Sequence, residues 1–133
     1  MKKICGPFIL FFFAVSCKKD GHNPVMISGN YTGTYSHFLG SIDSTTTIRI
    51  NFNGSHFSGE SDNPRYPRIC EGGFGIIGDS IAFGNDCYVT GDYLHAMILY
   101  GYYTMNLTGD SLIFGRAIGD FVYEAEVYSL KKQ

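Results

Sequence analysis

Three times in this chain a glycine-containing dipeptide suited to tight reversal stands between two short runs with a side-chain period of two. Thr47-Ile48-Arg49-Ile50-Asn51-Phe52 puts Ile48, Ile50 and Phe52 on one face, meets Asn53-Gly54, and resumes at His56-Phe57-Ser58. Asn and Gly both tolerate positive φ, the backbone that a two-residue hairpin turn needs to match the twist of its strands. Gly73-Phe74-Gly75-Ile76-Ile77 reverses at Gly78-Asp79 into Ser80-Ile81-Ala82-Phe83. Tyr103-Thr104-Met105-Asn106-Leu107 reverses at Gly109-Asp110 into Ser111-Leu112-Ile113-Phe114. A chain written this way is an antiparallel sheet, because a helical face needs apolar residues every three or four positions.

The last two hairpins share a short repeat. Gly78-Asp79-Ser80-Ile81-Ala82-Phe83-Gly84 and Gly109-Asp110-Ser111-Leu112-Ile113-Phe114-Gly115 differ only by swaps between apolar residues. Turn chemistry followed by an inward Ile or Leu and an inward Phe accounts for every residue type in it. Ile27 to His37, with Tyr31, Thr32, Thr34 and Tyr35, reads as an opening strand interrupted by Gly29 and Gly33. Leu94 to Tyr103 is apolar on both faces and is either a central strand or a short helix; Tyr100, Tyr102 and Tyr103 favour the strand. Phe121 to Val127 alternates as a closing strand with Glu124 and Glu126 outward, and a break in the pattern at Tyr128 predicts a bulge there or an end that packs differently. About eight strands joined in order by short turns predict an all-β fold, a small antiparallel up-and-down barrel.

The N-terminus has a different composition. Lys2 and Lys3 precede an apolar stretch, Ile4 to Val15, that is too short for a spanning helix and has the layout of an export signal. It closes on Ala14-Val15-Ser16-Cys17, which resembles the lipobox of bacterial lipoproteins. That resemblance implies cleavage before Cys17, acylation of that cysteine, and a membrane partner held through the lipid. It divides the chain into a signal peptide at 1–16, a lipidated cysteine and tether at 17–26, and one domain at 27–133. Asp20 is not adjacent to Cys17, so the lipoprotein pattern for inner-membrane retention is missing and an outer-membrane address is expected.

Loss of Lys2 and Lys3 leaves eight basic residues against twelve acidic ones. A mildly acidic surface with no Lys/Arg cluster excludes nucleic acid as the expected partner. Cys5 leaves with the signal and Cys17 takes the lipid, so Cys70 and Cys87 remain as a pair. In an oxidising compartment they are expected to form a disulfide. They lack C-x-x-C spacing and no His stands in ligand spacing to either, so no metal or other cofactor is expected.

No catalytic constellation emerges. His37, His56 and His95 are isolated and suit exposed strand positions, and Glu124 with Glu126 reads as a solvated face rather than a carboxylate pair for catalysis. No phosphate loop, H-E-x-x-H or EF-hand pattern occurs. The chain is therefore expected not to be an enzyme. One segment stands out: Asp62-Asn63-Pro64-Arg65-Tyr66-Pro67-Arg68-Ile69-Cys70 packs arginine, tyrosine and proline into an extended loop beside the expected disulfide. Arg and Tyr give contact area at small entropic cost, so Arg65, Tyr66 and Arg68 form the candidate recognition loop.

The spacing Gly29-x-Tyr31-x-Gly33-x-Tyr35, the sequential hairpins and the tyrosine-bearing final strand resemble small lipocalin-like and META-like outer-membrane lipoproteins. The lipocalin Gly-x-Trp is absent, with Tyr31 or Tyr35 where Trp would stand. The leading expectation is a lipid-anchored envelope protein that binds a small apolar ligand or serves in envelope stress, and it predicts a cavity lined by residues such as Ile50, Phe52, Ile81 and Phe83. The alternative is a protein-binding module, such as an anchored lysozyme or protease inhibitor, that uses the 62–70 loop.

Overall fold

A computed structural model describes residues 26–87, 98–118 and 123–133. Among them the regular structure is entirely β: β1 (Gly29–Leu39), β2 (Ile42–Asn53), β3 (His56–Ser61), β4 (Cys70–Ile77), β5 (Ser80–Phe83), β6 (Gly101–Thr108), β7 (Ser111–Ala117) and β8 (Glu124–Lys132). Each strand pairs antiparallel with the next, and β8 returns to β1 to close the barrel. Closure leaves no strand with unpaired backbone groups at an edge.

The hairpins lie where glycine permits them. Gly78-Asp79 and Gly109-Asp110 are two-residue turns, with pairing resuming at Ile77↔Ser80 and Thr108↔Ser111. The β2–β3 turn is displaced by one residue from Asn53-Gly54: Asn53 still pairs with His56, so Gly54-Ser55 forms the loop. Gly54 alone carries the positive φ there, 63°. A fourth turn, Gly40-Ser41, joins β1 to β2; the Thr-rich run Ser44 to Thr47 before the apolar alternation belongs to β2.

The barrel has two unlike ends. One carries the tight turns at 54–55, 78–79 and 109–110 together with the start of β1 and the end of β8. The other gathers the longer connections, β3 to β4, β5 to β6 and β7 to β8, around the Gly40-Ser41 turn. The Cys70–Cys87 disulfide is formed at this loop end, with Cα atoms 5.6 Å apart, inside the range that a disulfide spans without backbone movement.

Rings fill the interior. Phe83 lies with its centroid 5.2–6.5 Å from Phe52, Phe57, Phe74, Tyr103 and Phe114, at the spacings that aromatic pairs prefer. The two repeats deliver equivalent residues: Ile81 and Phe83 from the first, Leu112 and Phe114 from the second, all buried. β1 and β8 approach closely enough that a Cβ at Gly33 would run into the Ser129 carbonyl, which is why that position has no side chain.

The closing strand differs from the expected one. Phe121 and Val122 lie outside the described residues. From Glu124 onward β8 pairs without a bulge, running from Leu39↔Glu124 to Tyr31↔Lys132 on one side and from Ala117↔Ala125 to Ser111↔Lys131 on the other. Tyr128 and Leu130 face inward, and Glu126, on the same parity, is fully buried rather than outward. A period of two allows only two settings, and a slip of one residue moves every side chain to the opposite face. Burying Tyr128 and Leu130 removes more apolar surface from water than burying Ala125 and Val127, so Glu126 is carried inside with them. Leu94 and its neighbours through 97 lie outside the described residues. Ile98 makes one parallel bridge to Arg68, and β6 begins only at Gly101.

Candidate functional site

The loop end contains the one buried charged residue of the described chain, Glu126, and a set of groups arranged around it. β7 supplies Arg116, its register partner, whose Nε donates to Glu126 Oε1 at 2.6 Å. β1 supplies Tyr35, whose hydroxyl donates to Glu126 Oε2 at 2.8 Å. Both carboxylate oxygens are thus engaged. β6 supplies Tyr103, whose ring lies 4.3 Å from the Arg116 guanidinium carbon in a cation–π contact. Arg116 Nη1 also donates to the Tyr100 carbonyl at 2.6 Å, so one side chain ties β8, β6 and the connection before β6 together.

Burial pushes the Glu126 carboxyl above its usual range, although Arg116 and the Tyr35 hydroxyl pull the other way. Tyr35 and Tyr103 are pushed up by burial and by the Glu126 charge. Tyr128 is pushed up by burial, and its hydroxyl is buried with no hydrogen-bond partner among the described residues. Its ring lies between Tyr35 and Phe114, at 4.8 and 4.6 Å. Beside this cluster His37 Nε2 meets Glu124 Oε1 at 2.8 Å. Neither residue is on a solvated face: their side chains are 14% and 24% exposed. The carboxylate pair read as outward is therefore inward, with each acid held by its own base. Glu126 is sealed from solvent and has both oxygens occupied, so it organises the barrel end and does not reach a substrate.

The 62–70 segment folds over this end instead of standing free. Tyr66 is half-buried with its ring 6.5 Å from that of Tyr35, and Pro67 and Ile69 are buried. Arg68 is half-buried; its carbonyl accepts the Leu99 N–H at 3.0 Å and its backbone bridges to Ile98. Arg65 is the only member of the predicted trio that is exposed, and its N–H donates to the Asn63 side chain at 2.9 Å. The organiser of the surrounding loops is Asn85, which sequence reasoning did not single out. Its Nδ2 donates to the carbonyls of Ile69 and Leu99, both at 2.9 Å, and its Oδ1 accepts the Cys87 N–H at 2.8 Å.

Ile50, Phe52, Ile81 and Phe83, expected to line a cavity, are 0–3% exposed and pack among the rings of the centre. Open clefts lie on the outer wall instead. One of about 660 Å³ runs along Gly73, Phe74, Gly75, Ala82, Phe83 and Gly84 to Tyr100 and Tyr102. Large exposed apolar side chains lie at both ends: Leu39, Tyr100, Tyr102 and Tyr123 at the loop end, Met26 and Ile77 at the other. The Tyr123 carbonyl accepts the Gly40 N–H at 2.8 Å, which sets Tyr123 against the β1–β2 turn. His56, at the opposite end, is exposed and 3.8 Å from Glu71. Cys17 and His95 lie outside the described residues. No three His, Cys, Asp or Glu side chains among the described residues gather in a way that could hold a metal ion.

Comparison with protein-family models, with curated proteins and with solved structures finds no match for this chain.

Proposed function

We propose that this chain is a non-catalytic, lipid-anchored protein of the bacterial envelope, with a protein-binding rim on the barrel end turned away from the membrane. The observation that carries the reading is the unequal division of the two ends. The chain enters β1 at the tight-turn end, twelve residues after Cys17, so a lipid on that cysteine would draw this end towards the bilayer. The longer loops then face outward, with Tyr100, Tyr102, Tyr123, Leu39 and Arg65 exposed among them. Exposed tyrosine and arginine on a framework fixed by a disulfide are what protein recognition uses, since little conformational entropy remains to be lost.

The filled interior favours this surface reading over storage of an apolar ligand. A ligand would have to displace rings already packed against one another, and interiors of this kind have little free volume to give. An anchored inhibitor of a lysozyme or protease is the form in which the reading is most directly tested. The lipid-free chain from Lys18 onward is expected to bind or inhibit an envelope-directed hydrolase saturably, and Arg65→Ala and Tyr123→Ala are expected to weaken it without loss of folding. Inhibition unaffected by either substitution would remove the rim. Saturable uptake of a fluorescent fatty acid would favour the ligand reading. For the anchor, Cys17→Ser is expected to move the protein from the membrane to the soluble fraction, and mass spectrometry of the native protein to show the acyl chains on Cys17.

A further inference from the structure

The Glu126–Arg116 pair lies at the loop end, yet the binding reading makes no use of it. Its geometry is lopsided. The Glu126 side chain is 0% exposed and cannot reach water without opening the barrel, whereas the Arg116 side chain is 24% exposed and stands at the edge. A change in charge at Glu126 therefore bears most directly on Arg116, the cation paired with it and the more exposed of the two. That side chain also holds the Tyr100 carbonyl and covers the Tyr103 ring.

We propose that Glu126 and Arg116 form an acid-released latch on the rim. With Glu126 ionised, Arg116 is held inward and fixes the Tyr100–Tyr102 edge; when Glu126 takes up a proton, Arg116 swings into water and that edge is freed. The latch deepens the binding reading, since Tyr100 and Tyr102 belong to the proposed rim. The electrostatics run one way. Ionised, the pair is a short charge-assisted contact in a medium of low dielectric, where such a contact is strong. With the acid neutral, Arg116 keeps only a neutral carbonyl and a ring while its own charge stays partly out of water. Hydration then competes with what remains.

Other groups around Glu126 do not substitute for it. Tyr35 from β1 can donate to either form of the acid, so it keeps Glu126 in place throughout. His37, opposite Glu126 in register, is engaged with Glu124. Tyr103 from β6 and Tyr128 from β8 are pushed towards their neutral forms by burial. Arg116 from β7 is thus the cation that answers Glu126. Burial raises the proton affinity of Glu126 above that of an unfolded glutamate. The folded state therefore takes up the proton first as pH falls. This group's contribution to stability is fully present below the unfolded value and is lost as pH rises through the folded one. Acid would open the rim without unfolding the barrel through this group.

The test is amide hydrogen exchange on the partner-free chain from Lys18 onward, which contains every strand of the barrel, so its outcome does not depend on whether the rim binds a protein. Between a pH at which Glu126 is ionised and a lower one at which the barrel stays folded, protection factors at Leu99 and Tyr100 are expected to fall about tenfold, while those at Ile50 and Phe57 hold. Glu126→Gln is expected to show the low protection at both pH values, and Glu124→Gln to keep the pH step. Arg116→Met abolishes the step by removing the moving part, and serves should Glu126→Gln fail to fold. A pH step that survives in Glu126→Gln or Arg116→Met would overturn the latch, as would unchanged protection across the range in the unsubstituted chain.

Discussion

Removing one oxygen atom from either of two neighbouring tyrosines should change stability in opposite directions. Tyr35 and Tyr128 are both fully buried, with ring centroids 4.8 Å apart. The Tyr35 hydroxyl donates to the buried Glu126 carboxylate at 2.8 Å. A hydrogen bond to a charged group contributes about 1.5–3 kcal/mol, and its loss weakens the set of donors that holds the buried carboxylate. Tyr35→Phe should therefore cost about 2–3 kcal/mol. The Tyr128 hydroxyl has no partner among the described residues. A buried unsatisfied polar group costs about 1–3 kcal/mol, and its removal regains most of that, less a small term for the void it leaves. Tyr128→Phe should be neutral to stabilising by about 1 kcal/mol. Urea unfolding of the oxidised lipid-free chain reads both, with the midpoint moving and the slope unchanged. A loss of stability in Tyr128→Phe equal to that in Tyr35→Phe would refute the reasoning, because it would mean that the Tyr128 hydroxyl is bonded.

Two further predictions concern the frame. Gly33→Ala should lower stability by more than about 2 kcal/mol or prevent closure, because its Cβ meets the β8 backbone at Ser129, which cannot move aside as a side chain could; an unfolding midpoint within error of the parent would show that β1 and β8 are not in this register. Joint replacement of Cys70 and Cys87 by Ser should cost about 3 kcal/mol, the loop-closure value for a separation near that of this pair; thermal unfolding with and without reductant checks it, and an unaffected midpoint would remove the disulfide from the list of stabilising features.

The all-β class and the barrel were legible because local chemistry dictates them. Glycine at positive φ in a two-residue loop forces the chain back on itself, and Ile48-x-Ile50-x-Phe52 shows which face the strand buries. The repeated Asp-Ser-apolar-x-Phe pattern placed Ile81, Phe83, Leu112 and Phe114 inward for the same reason, and all four are buried. Cys70 and Cys87 could be paired by elimination. The first hairpin was less visible, since Gly40-Ser41 has no strong alternation on its C-terminal side.

The site was not legible, and β8 shows why. Its residues fit either of two parities, and the choice was settled by what Tyr128 and Leu130 meet on β1 and β7, strands far away in sequence. Only closure of the barrel sets Glu126 against Arg116 and Tyr35, turning what reads as a solvated acid into the buried centre of the loop end. The same closure folds the 62–70 segment inward, so that Tyr66 packs near Tyr35 and only Arg65 of the predicted trio remains exposed. Turn residues and alternation act over a few positions, and sequence by itself determined what they govern: strands, hairpins and much of the core. The choice of inward face for a balanced strand, and the partner of a buried charge, depend on surfaces brought together from across the chain, and the tertiary structure alone decided them.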